Sequence, residues 1–314
     1  MHQHTSEKSL SVVIPVYNSA AILPELIRQL LIVLNTMDEF EIILVNDGSN
    51  DESWEVIQRL AGEYSAVRGF TLMRNYGQHN AVLCGIRAAT KQIIVTMDDD
   101  LQHPPEEVSR LLAKLDEGYD VVYGTPRQEQ HGIMRDMASR ITKIALSSAM
   151  GAETANKVSA FRALRASVRS AFTDYRSPFV SVDVLLTWGT TRFTSIPVAH
   201  EPRRQGVSNY TVRKLITHAF NMMTGFSVIP LQLASLLGFV CALFGVMVLF
   251  YVLVSYVFLG YSVPGFPFLA SIISIFSGAQ LLAIGIIGEY LARMHFRMME
   301  RPLYVVRHST EDSA

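Results

Sequence analysis

Three adjacent carboxylates, Asp98 to Asp100, follow directly on an apolar run that ends at Met97. Neighbouring carboxylates repel one another, so a strand end tolerates three of them only beside a positive partner, most simply a divalent metal ion. The sequence therefore predicts a metal-assisted site at the end of this strand.

Polar segments also follow the other apolar runs of the N-terminal half. The carboxyl ends of parallel strands meet at one edge of a sheet, and ligands bind there. Carboxylates and basic side chains are therefore expected to converge on one site for a nucleotide diphosphate, whose phosphates a metal would neutralise. The segments are Pro15 to Asn18, Asn46 to Asp51, Arg74 to His79, Asp98 to Gln102 and Gly124 to Arg127.

Two other phosphate-binding signatures are absent from the sequence. No Gly-x-Gly-x-x-Gly follows the first apolar run, and no Gly-x-x-x-x-Gly-Lys-Ser/Thr occurs, so neither a dinucleotide cofactor nor a phosphate loop is indicated. Taken alone, Asp47-Gly48-Ser49 is typical of a polar turn that caps a helix. Its expected position beside Asp98 to Gln102 favours the site interpretation.

Strand and helix patterns alternate through the N-terminal half. This alternation predicts an α/β fold with a mostly parallel sheet that helices cover on both faces. The predicted strands are Leu10 to Val16, Phe40 to Val45, Gly69 to Met73, Gln92 to Met97 and Tyr119 to Tyr123. The predicted helices lie near Ala21 to Asn35, Glu52 to Glu63, Gln78 to Thr90 and Pro105 to Glu117.

The composition excludes several classes of protein. The 314 residues are 49% hydrophobic, which is enough for one large or two moderate domains with real cores. Lys and Arg number 27 against 28 Asp and Glu, and this balance argues against a nucleic-acid partner. Cys84 and Cys241 lie far apart, so neither a disulfide nor structural zinc is indicated. The polar residues 1–9 indicate no cleavable secretion signal.

A long segment of the chain carries no charge. Between Leu215 and Gly288 there is no Asp, Glu, Lys or Arg. Two stretches, about 231–258 and about 268–291, are each long enough to span a bilayer, which takes roughly 20 apolar residues. We predict two transmembrane helices there. The alternative is a pair of helices buried in a soluble core, although such helices rarely run this long without a charge.

Basic residues flank the two predicted spans, and the loop between the spans has none. Arg213 and Lys214 come before, and Arg293, Arg297 and Arg301 come after, so both ends should face the cytoplasm. The predicted organisation is a cytoplasmic domain at 1–210, an interfacial amphipathic helix at 211–229, the hairpin at 230–292 and a cytoplasmic tail at 293–314. The segment 211–229 fits the first turns of the spanning helix equally well.

Several segments resemble the motifs of one family. Pro-Val-Tyr-Asn at 15–18, Asn-Asp-Gly-Ser at 46–49, Arg-Asn-Tyr-Gly-Gln-His at 74–79 and Asp-Asp-Asp-Leu-Gln-His-Pro-Pro-Glu at 98–106 are similar to those of family 2 inverting glycosyltransferases with the GT-A fold. The likeness is greatest to the polyprenyl-phosphate glycosyltransferases, whose bacterial members also end in two membrane spans. It covers nearly the whole chain.

The resemblance implies transfer of a sugar from a nucleotide diphosphate, most simply a UDP-sugar, to polyprenyl phosphate. It implies a multi-pass protein of the bacterial inner membrane that forms a homo-oligomer, a tetramer in the family.

The resemblance also implies Mg²⁺ or Mn²⁺ at Asp100 and Gln102, with Asp98 near the sugar and the nucleotide. The residues implied to hold the nucleotide are Pro15, Tyr17, Asn18, Asp47 and Asp98. Those implied to face the donor and acceptor phosphates are Arg127, Arg135, Arg203 and Ser208, and the catalytic set is Asp98, Asp100, Gln102, Arg127, Arg135 and Arg203.

Three positions depart from the family pattern. Asn46 stands where an Asp is usual, Ser19 where a Glu is common, and Asn209 where a Lys follows Gly-x-Ser. These changes bear on the contacts to the base and to a phosphate. They affect the identity of the donor more than the class of reaction.

The implied acceptor needs little chemical activation. A polyprenyl phosphate is already an anion at neutral pH, so it can attack the anomeric carbon without a general base. Alignment and charge neutralisation are then expected to supply the catalysis. Asp183 is the one remaining obvious carboxylate for a base, and its context, Phe179 to Trp188, is typical of a buried helix.

Two other functions remain possible from the sequence. A polysaccharide or glycolipid synthase with a hydroxyl acceptor would join a similar domain to membrane helices, but processive synthases carry Gln-x-x-Arg-Trp, and neither Trp54 nor Trp188 follows an Arg. A degenerate nucleotide-binding domain that serves as a membrane scaffold is the non-enzymatic alternative. No motif specifies which sugar is transferred.

Overall fold

The computed structural model of the chain describes residues 9–126, 157–176, 180–201, 229–254, 257–258 and 265–313. In this part of the chain, strands and helices alternate up to β5, as the sequence predicts. The strands are β1 Ser9–Val16, β2 Glu39–Asn46, β3 Val67–Leu72, β4 Ile93–Thr96, β5 Val121–Pro126, β6 Arg162–Arg165, β7 Phe193–Val198 and β8 Val306–Ser309. The helices are α1 Leu23–Leu34, α2 Ser53–Glu63, α3 Gln78–Ala88, α4 Glu107–Asp116, α5 Val182–Gly189, α6 Ile229–Val254 and α7 Phe266–Met298.

The strands form one sheet in the order β7-β5-β6-β4-β1-β2-β3-β8. The pairs of β1 with β2 and β4, of β2 with β3, and of β5 with β7 are parallel. Only β6 and β8 run antiparallel to their neighbours. The predicted mostly parallel α/β sheet is therefore confirmed, and the carboxyl ends of β1 to β4 lie at one edge.

Helices cover both faces of the sheet. Successive residues of β1 alternate between the two hydrophobic cores, with Val12 and Ile14 in one and Val13 in the other. The first core is closed by α1, α2 and α4, and the second by α3 and α5. Strands buried on both faces appear in the sequence as continuous apolar runs. This is why β1 and β2 are recognisable from the sequence.

The short strand β6 carries a buried guanidinium group into the sheet. The Arg162 Nε donates to the Thr96 Oγ1 at 3.0 Å, and its terminal nitrogen forms an ion pair with the Asp183 carboxylate. The Tyr123 hydroxyl donates to the same carboxylate at 3.2 Å. Asp183 lies in α5, whose residues 182–186 are buried, so the predicted buried helix is confirmed over this part, whereas Trp188 is exposed and Phe179 lies outside the described residues.

The C-terminal residues complete the sheet instead of forming a free tail. Strand β8 pairs antiparallel with β3, and the Gly69 amide donates to the Thr310 Oγ1 at 3.0 Å. Arg68 pairs with both Glu41 and Glu311. The tail predicted at 293–314 thus includes the last turns of α7 and an edge strand. Because pairing of β8 is set by a distant partner, its short polar sequence shows no pattern of its own.

Helices α6 and α7 span 26 and 33 residues. Each contains a stretch that is apolar and long enough to cross a membrane, Leu231–Val248 with a mean hydropathy of 2.2 and Ile275–His295 with 1.5. Only 6% of the first stretch and none of the second is buried within the protein. The alternative of two helices in a soluble core therefore does not fit. The predicted interfacial helix at 211–229 lies outside the described residues, except for Ile229, where α6 begins.

Candidate active site

The three aspartates lie just past the end of β4, in a pocket of about 270 Å³. The Asp98 Oδ1 accepts a hydrogen bond from the Gln78 Nε2 at 2.6 Å. Asp100 is only 8% exposed, and its Oδ1 accepts from the Gln102 amide at 3.2 Å. The sequence motifs do not single out Gln78, although it belongs to the polar segment that follows β3. The structure thus confirms that carboxylates gather at this edge.

Asp99 faces the same pocket as its two neighbours. Alternation along an extended chain predicts that Asp99 turns to the other side, as a bystander or a local hydrogen-bond acceptor. The predicted direction is wrong, because β4 ends at Thr96 and the alternation of a strand no longer applies, whereas the role of hydrogen-bond acceptor is confirmed. The Asp99 Oδ2 accepts from the Ser19 Oγ at 2.6 Å and from the Tyr17 amide at 3.2 Å. Burial raises the pKa of Asp99, and these two hydrogen bonds oppose the shift.

Asp47 holds a loop as well as lining the pocket. Its carboxylate accepts hydrogen bonds from the Tyr76 amide at 2.7 Å and the Gly77 amide at 2.8 Å. Burial raises the pKa of this carboxyl group, and the two amides oppose the shift. Asp47 therefore shapes the segment that follows β3, in addition to the contact with the nucleoside that the resemblance implies.

Asn18 and Asn46 connect the loops that follow β1 and β2. The Asn18 Oδ1 accepts from the Asn50 amide at 2.8 Å, and the Asn18 amide donates to the Ser49 Oγ at 3.0 Å. The Asn46 Nδ2 donates to the Thr71 Oγ1 at 2.9 Å, while its Oδ1 accepts from the Ser49 amide at 3.2 Å. An aspartate at position 46 could keep the contact with Thr71 only as an acceptor from the Thr71 hydroxyl, so Asn46 sets the direction of this hydrogen bond.

Gly48 allows the loops after β2 and β3 to approach each other closely. Its φ is +64°, and a Cβ built there would lie 2.5 Å from the Arg74 carbonyl carbon and the Asn75 amide nitrogen. Both clashing atoms belong to the backbone, so no side-chain rotation would relieve the contact. A larger residue must displace the loop that Asp47 holds.

We predict that Gly48→Ala lowers the free energy of unfolding by about 1 to 3 kcal/mol, because a left-handed conformation and a backbone clash both penalise the methyl group. Thermal unfolding of the purified protein measures the loss. The matched control is Gly62→Ala in α2, where a Cβ meets nothing within 4 Å. That variant should gain roughly 0.5 to 1 kcal/mol. If both variants changed the free energy of unfolding by the same amount, the close approach of the two loops at Gly48 would be contradicted.

His103 is a buried neighbour of the aspartates. Its ring stacks on Phe161 and meets the edge of His200, with ring centroids 5.0 Å apart in both cases. Burial, together with the charge of His200, lowers the pKa of His103 to about 4, so the ring is neutral at physiological pH. Both ring faces are thus taken up by packing within the protein.

A second, larger cleft of about 890 Å³ adjoins the aspartate pocket. Tyr17 and Asn75 line both spaces and therefore form the shared wall. Pro15 lines the smaller pocket with Tyr17. Four other predicted site residues, Arg127, Arg135, Arg203 and Ser208, lie outside the described residues.

The acidic pocket suits a metal that is shared with a substrate. Among the described residues, no three His, Cys, Asp or Glu side chains converge as a complete metal site. Mg²⁺ is usually held by one or two carboxylates together with substrate phosphates. The buried Asp100 carboxylate beside Asp98 supplies oxygen donors of that kind. A diphosphate would then complete the coordination.

Two relatives of known name match nearly the whole chain. The chain is 37% identical over 305 residues to the undecaprenyl-phosphate 4-deoxy-4-formamido-L-arabinose transferase of Shewanella sediminis, which covers 95% of this chain and 91% of the relative. The enzyme of that name from Pseudomonas aeruginosa PAO1 is 36% identical over 301 residues, with 95% of this chain and 89% of the relative covered.

Solved structures share the fold of the N-terminal domain. Glucosyl-3-phosphoglycerate synthase from Mycobacterium tuberculosis, in complex with Mn²⁺, UDP and glucosyl-3-phosphoglycerate, matches with a TM-score of 0.51 at 18% identity. The match covers 69% of this chain and 78% of that one. Residues 11–172 also match the sequence model of the family described as glycosyl transferase family 2. With its GT-A sheet and its aspartates at the strand ends, this chain belongs to glycosyl transferase family 2.

Proposed function

We propose that the protein transfers a sugar from a nucleotide-sugar donor to a lipid phosphate, with inversion at the anomeric carbon. The donor is a UDP-sugar, and the acceptor is undecaprenyl phosphate or another polyprenyl phosphate. One observation carries the proposal: a pocket lined by three aspartates and two exposed apolar helices belong to the same chain. Relatives that match 95% of the chain are named for transfer to undecaprenyl phosphate. The sugar is a hexose or a modified pentose.

The aspartate pocket is the proposed site of the donor diphosphate. Asp100 and Gln102 would hold Mg²⁺ or Mn²⁺, and Asp98 would face the sugar and the nucleotide. When bound, the metal neutralises charge on the diphosphate and makes it a better leaving group. The Gln78 amide orients the Asp98 carboxylate. Asp99 fixes the backbone of Tyr17, which separates this pocket from the larger cleft.

In the proposed reaction, an oxygen of the acceptor phosphate forms a bond to the anomeric carbon. The bond between that carbon and the donor diphosphate breaks on the opposite face, and its electron pair leaves with the nucleoside diphosphate. No proton has to be removed from a phosphate anion, so no general base is needed. Asp183, the remaining candidate for a base, is 6% exposed and paired with Arg162. Arg127, Arg135, Arg203 and Ser208 stay as proposed contacts to the phosphates.

We further propose that α6 and α7 form a hairpin in the bacterial inner membrane, with both ends and the catalytic domain in the cytoplasm. The Arg293 guanidinium pairs with Glu289 at 2.7 Å, one helical turn apart near the end of α7. Such a pair suits the cytoplasmic boundary of a span, where charges reach water. Assembly into a homo-oligomer is part of the same proposal.

A transfer assay with two lipid acceptors tests this function. Radiolabelled nucleotide sugars are incubated with the full chain, Mn²⁺ and either polyprenyl phosphate or the matching polyprenol. We expect label to enter only the phosphate acceptor, and chelation of the metal to abolish the transfer. Transfer to polyprenol would favour a hydroxyl-acceptor enzyme, and no transfer with any donor would favour the scaffold alternative.

A screen of nucleotide sugars identifies the donor. A ligand that binds the folded state alone stabilises it by about 2.7 kcal/mol when its concentration is 100 times its dissociation constant. With Mn²⁺ present, we expect uridine diphosphate compounds to raise the melting temperature more than guanosine or adenosine compounds do. If no nucleoside diphosphate raises it, the donor site has been assigned wrongly.

A further inference from the structure

The larger cleft has a wall that the N-terminal domain does not supply. Arg307 and His308 of β8 line it together with the loops that follow β2 and β3. These two residues come from the extreme C-terminal part of the chain, beyond both apolar helices. Neither belongs to a motif of the glycosyltransferase segments described above. Their position raises the question of which part of a ligand they would contact.

If the proposed function is correct, the order of the strands determines how the nucleotide-sugar donor lies across the aspartate pocket and the larger cleft. Its diphosphate lies at the end of β4, and the acceptor phosphate is assigned to residues such as Arg127, which follows β5. In the sheet, β5 lies on one side of β4, whereas β1, β2, β3 and β8 lie on the other. The sugar must face the acceptor, so the nucleoside must extend toward β3 and β8.

The dimensions of the sheet agree with this orientation. Neighbouring strands are about 4.8 Å apart, so β3 lies roughly 14 Å from β4. An extended nucleoside diphosphate can bridge that distance. Tyr17 and Asn75, which line both spaces, would lie beside its middle. The cleft also has polar groups for a base or a ribose, because Asn50 and Gln58 line it with Arg74.

We propose that β8 is part of the donor site and that Arg307 and His308 recognise the nucleoside of the donor. A guanidinium group offers five N–H donors, and a base such as uracil and a ribose both present oxygen acceptors. The residues are therefore determinants of donor affinity and of the choice of base. They are not catalytic residues, since the reacting atoms lie at the end of β4.

Several contacts hold β8 at the cleft. The strand pairs with β3 from Phe70 to Leu72, and the Ser309 amide donates to the Asp312 Oδ2 at 3.0 Å. The ion pair of Arg68 with Glu311 lies on the turn that follows. The pairing register shifts between Thr71 and Leu72. Such an irregularity re-aims the side chains of a strand, and here it occurs beside the two residues that line the cleft.

Binding measurements on the full-length protein test the inference with two probes, UDP and inorganic pyrophosphate, each with Mn²⁺. We expect Arg307→Ala to weaken UDP binding about 10-fold, because a hydrogen bond from a charged group is lost. Pyrophosphate, which has no nucleoside, should bind as it does to the wild type. The KM for the nucleotide sugar should rise with little change in kcat, and His308→Ala should act in the same direction.

The control is Arg59→Ala, which removes the same charge from an exposed position of α2 that does not line the cleft and should leave UDP binding unchanged. Arg307→Lys is a second variant for the case that Arg307→Ala lowers the melting temperature. It keeps the positive charge at this position, and we expect it to lose part of the affinity for UDP. Unchanged UDP binding in the Arg307 and His308 variants would overturn the inference, as would equal loss of UDP and pyrophosphate. Failure of the wild type to bind UDP would instead overturn the proposed function.

Discussion

Asp100→Asn is expected to lower the rate of sugar transfer by roughly 10²- to 10³-fold, the usual effect of removing one electrostatic contact to a developing charge. The substitution keeps the shape of the side chain and its acceptor oxygen for the Gln102 amide. It removes the negative charge that would hold the metal against the diphosphate. Initial rates with saturating Mn²⁺, labelled donor and polyprenyl phosphate measure the effect.

Asp38→Asn is the matched control for this substitution. Asp38 is exposed and lies just before β2, at the end of the strand that faces away from the site. The same chemical change there should leave the transfer rate unaltered. Asp100→Asn with the rate of the wild type would remove the metal site from the proposal, whatever the melting temperature of the variant.

Asp183→Asn is expected to lower the free energy of unfolding by about 3 to 5 kcal/mol. Arg162 is only 2% exposed, so its guanidinium group would remain buried without an opposite charge. The melting temperature should fall by roughly 2 to 4 °C for each kcal/mol lost. The double variant Arg162→Met with Asp183→Leu should recover most of the loss, because it leaves no unpaired charge.

The single variant Asp183→Asn also tests the reaction scheme, since Asp183 is the only obvious remaining candidate for a base. Removing a general base costs roughly 10²- to 10⁴-fold in rate, and we expect the folded Asp183→Asn protein to lose far less. Asp120→Asn is the control for stability. Its partner Arg165 lies 3.7 Å away in a partly exposed pair, and such pairs contribute about 1 kcal/mol or less.

The N-terminal half of the sheet could be predicted because its strands are buried on both faces. The runs from Leu10 to Val16 and from Phe40 to Val45 are almost wholly apolar, and each is followed by polar residues. The edge that carries the aspartates follows from this alternation of strands and helices. Position in a parallel sheet is therefore enough to gather Asp47 and Asp98 to Asp100.

Strands β6 and β8 could not be predicted, because their sequences lack the apolar pattern of a strand. Strand β6 reads Arg-Ala-Leu-Arg, and Arg162 is buried only because Asp183 reaches it from α5. Strand β8 reads Val-Arg-His-Ser, and three of its four residues are exposed. Both strands depend on partners distant in the chain, which no local pattern reveals.

The turn after β4 shows another limit of reasoning from the sequence. Alternation predicts opposite directions for Asp98 and Asp99, but the strand has ended and the two line one pocket. Ser19 illustrates the same point, because its departure from the family pattern gains a meaning only when its hydroxyl is seen to donate to Asp99. Side-chain partners across loops are properties of the folded structure.

The pairing of β8 with β3 also determines when the sheet can be finished during synthesis. Gly69 and Thr310, which bond across this edge, are 241 residues apart. At about 5 to 20 residues per second, roughly 10 to 50 s separate the emergence of the two from the ribosome. Throughout that interval, β3 is an uncovered edge strand, open to pairing with other chains.

Both apolar helices are synthesised before β8, so β8 can pair with β3 only after these two helices have emerged from the ribosome. A nascent chain that stops before Val306 retains its aspartates and lacks the wall of the larger cleft. The edge strand that covers β3, and with it one wall of the larger cleft, is therefore added only after both apolar helices have been synthesised.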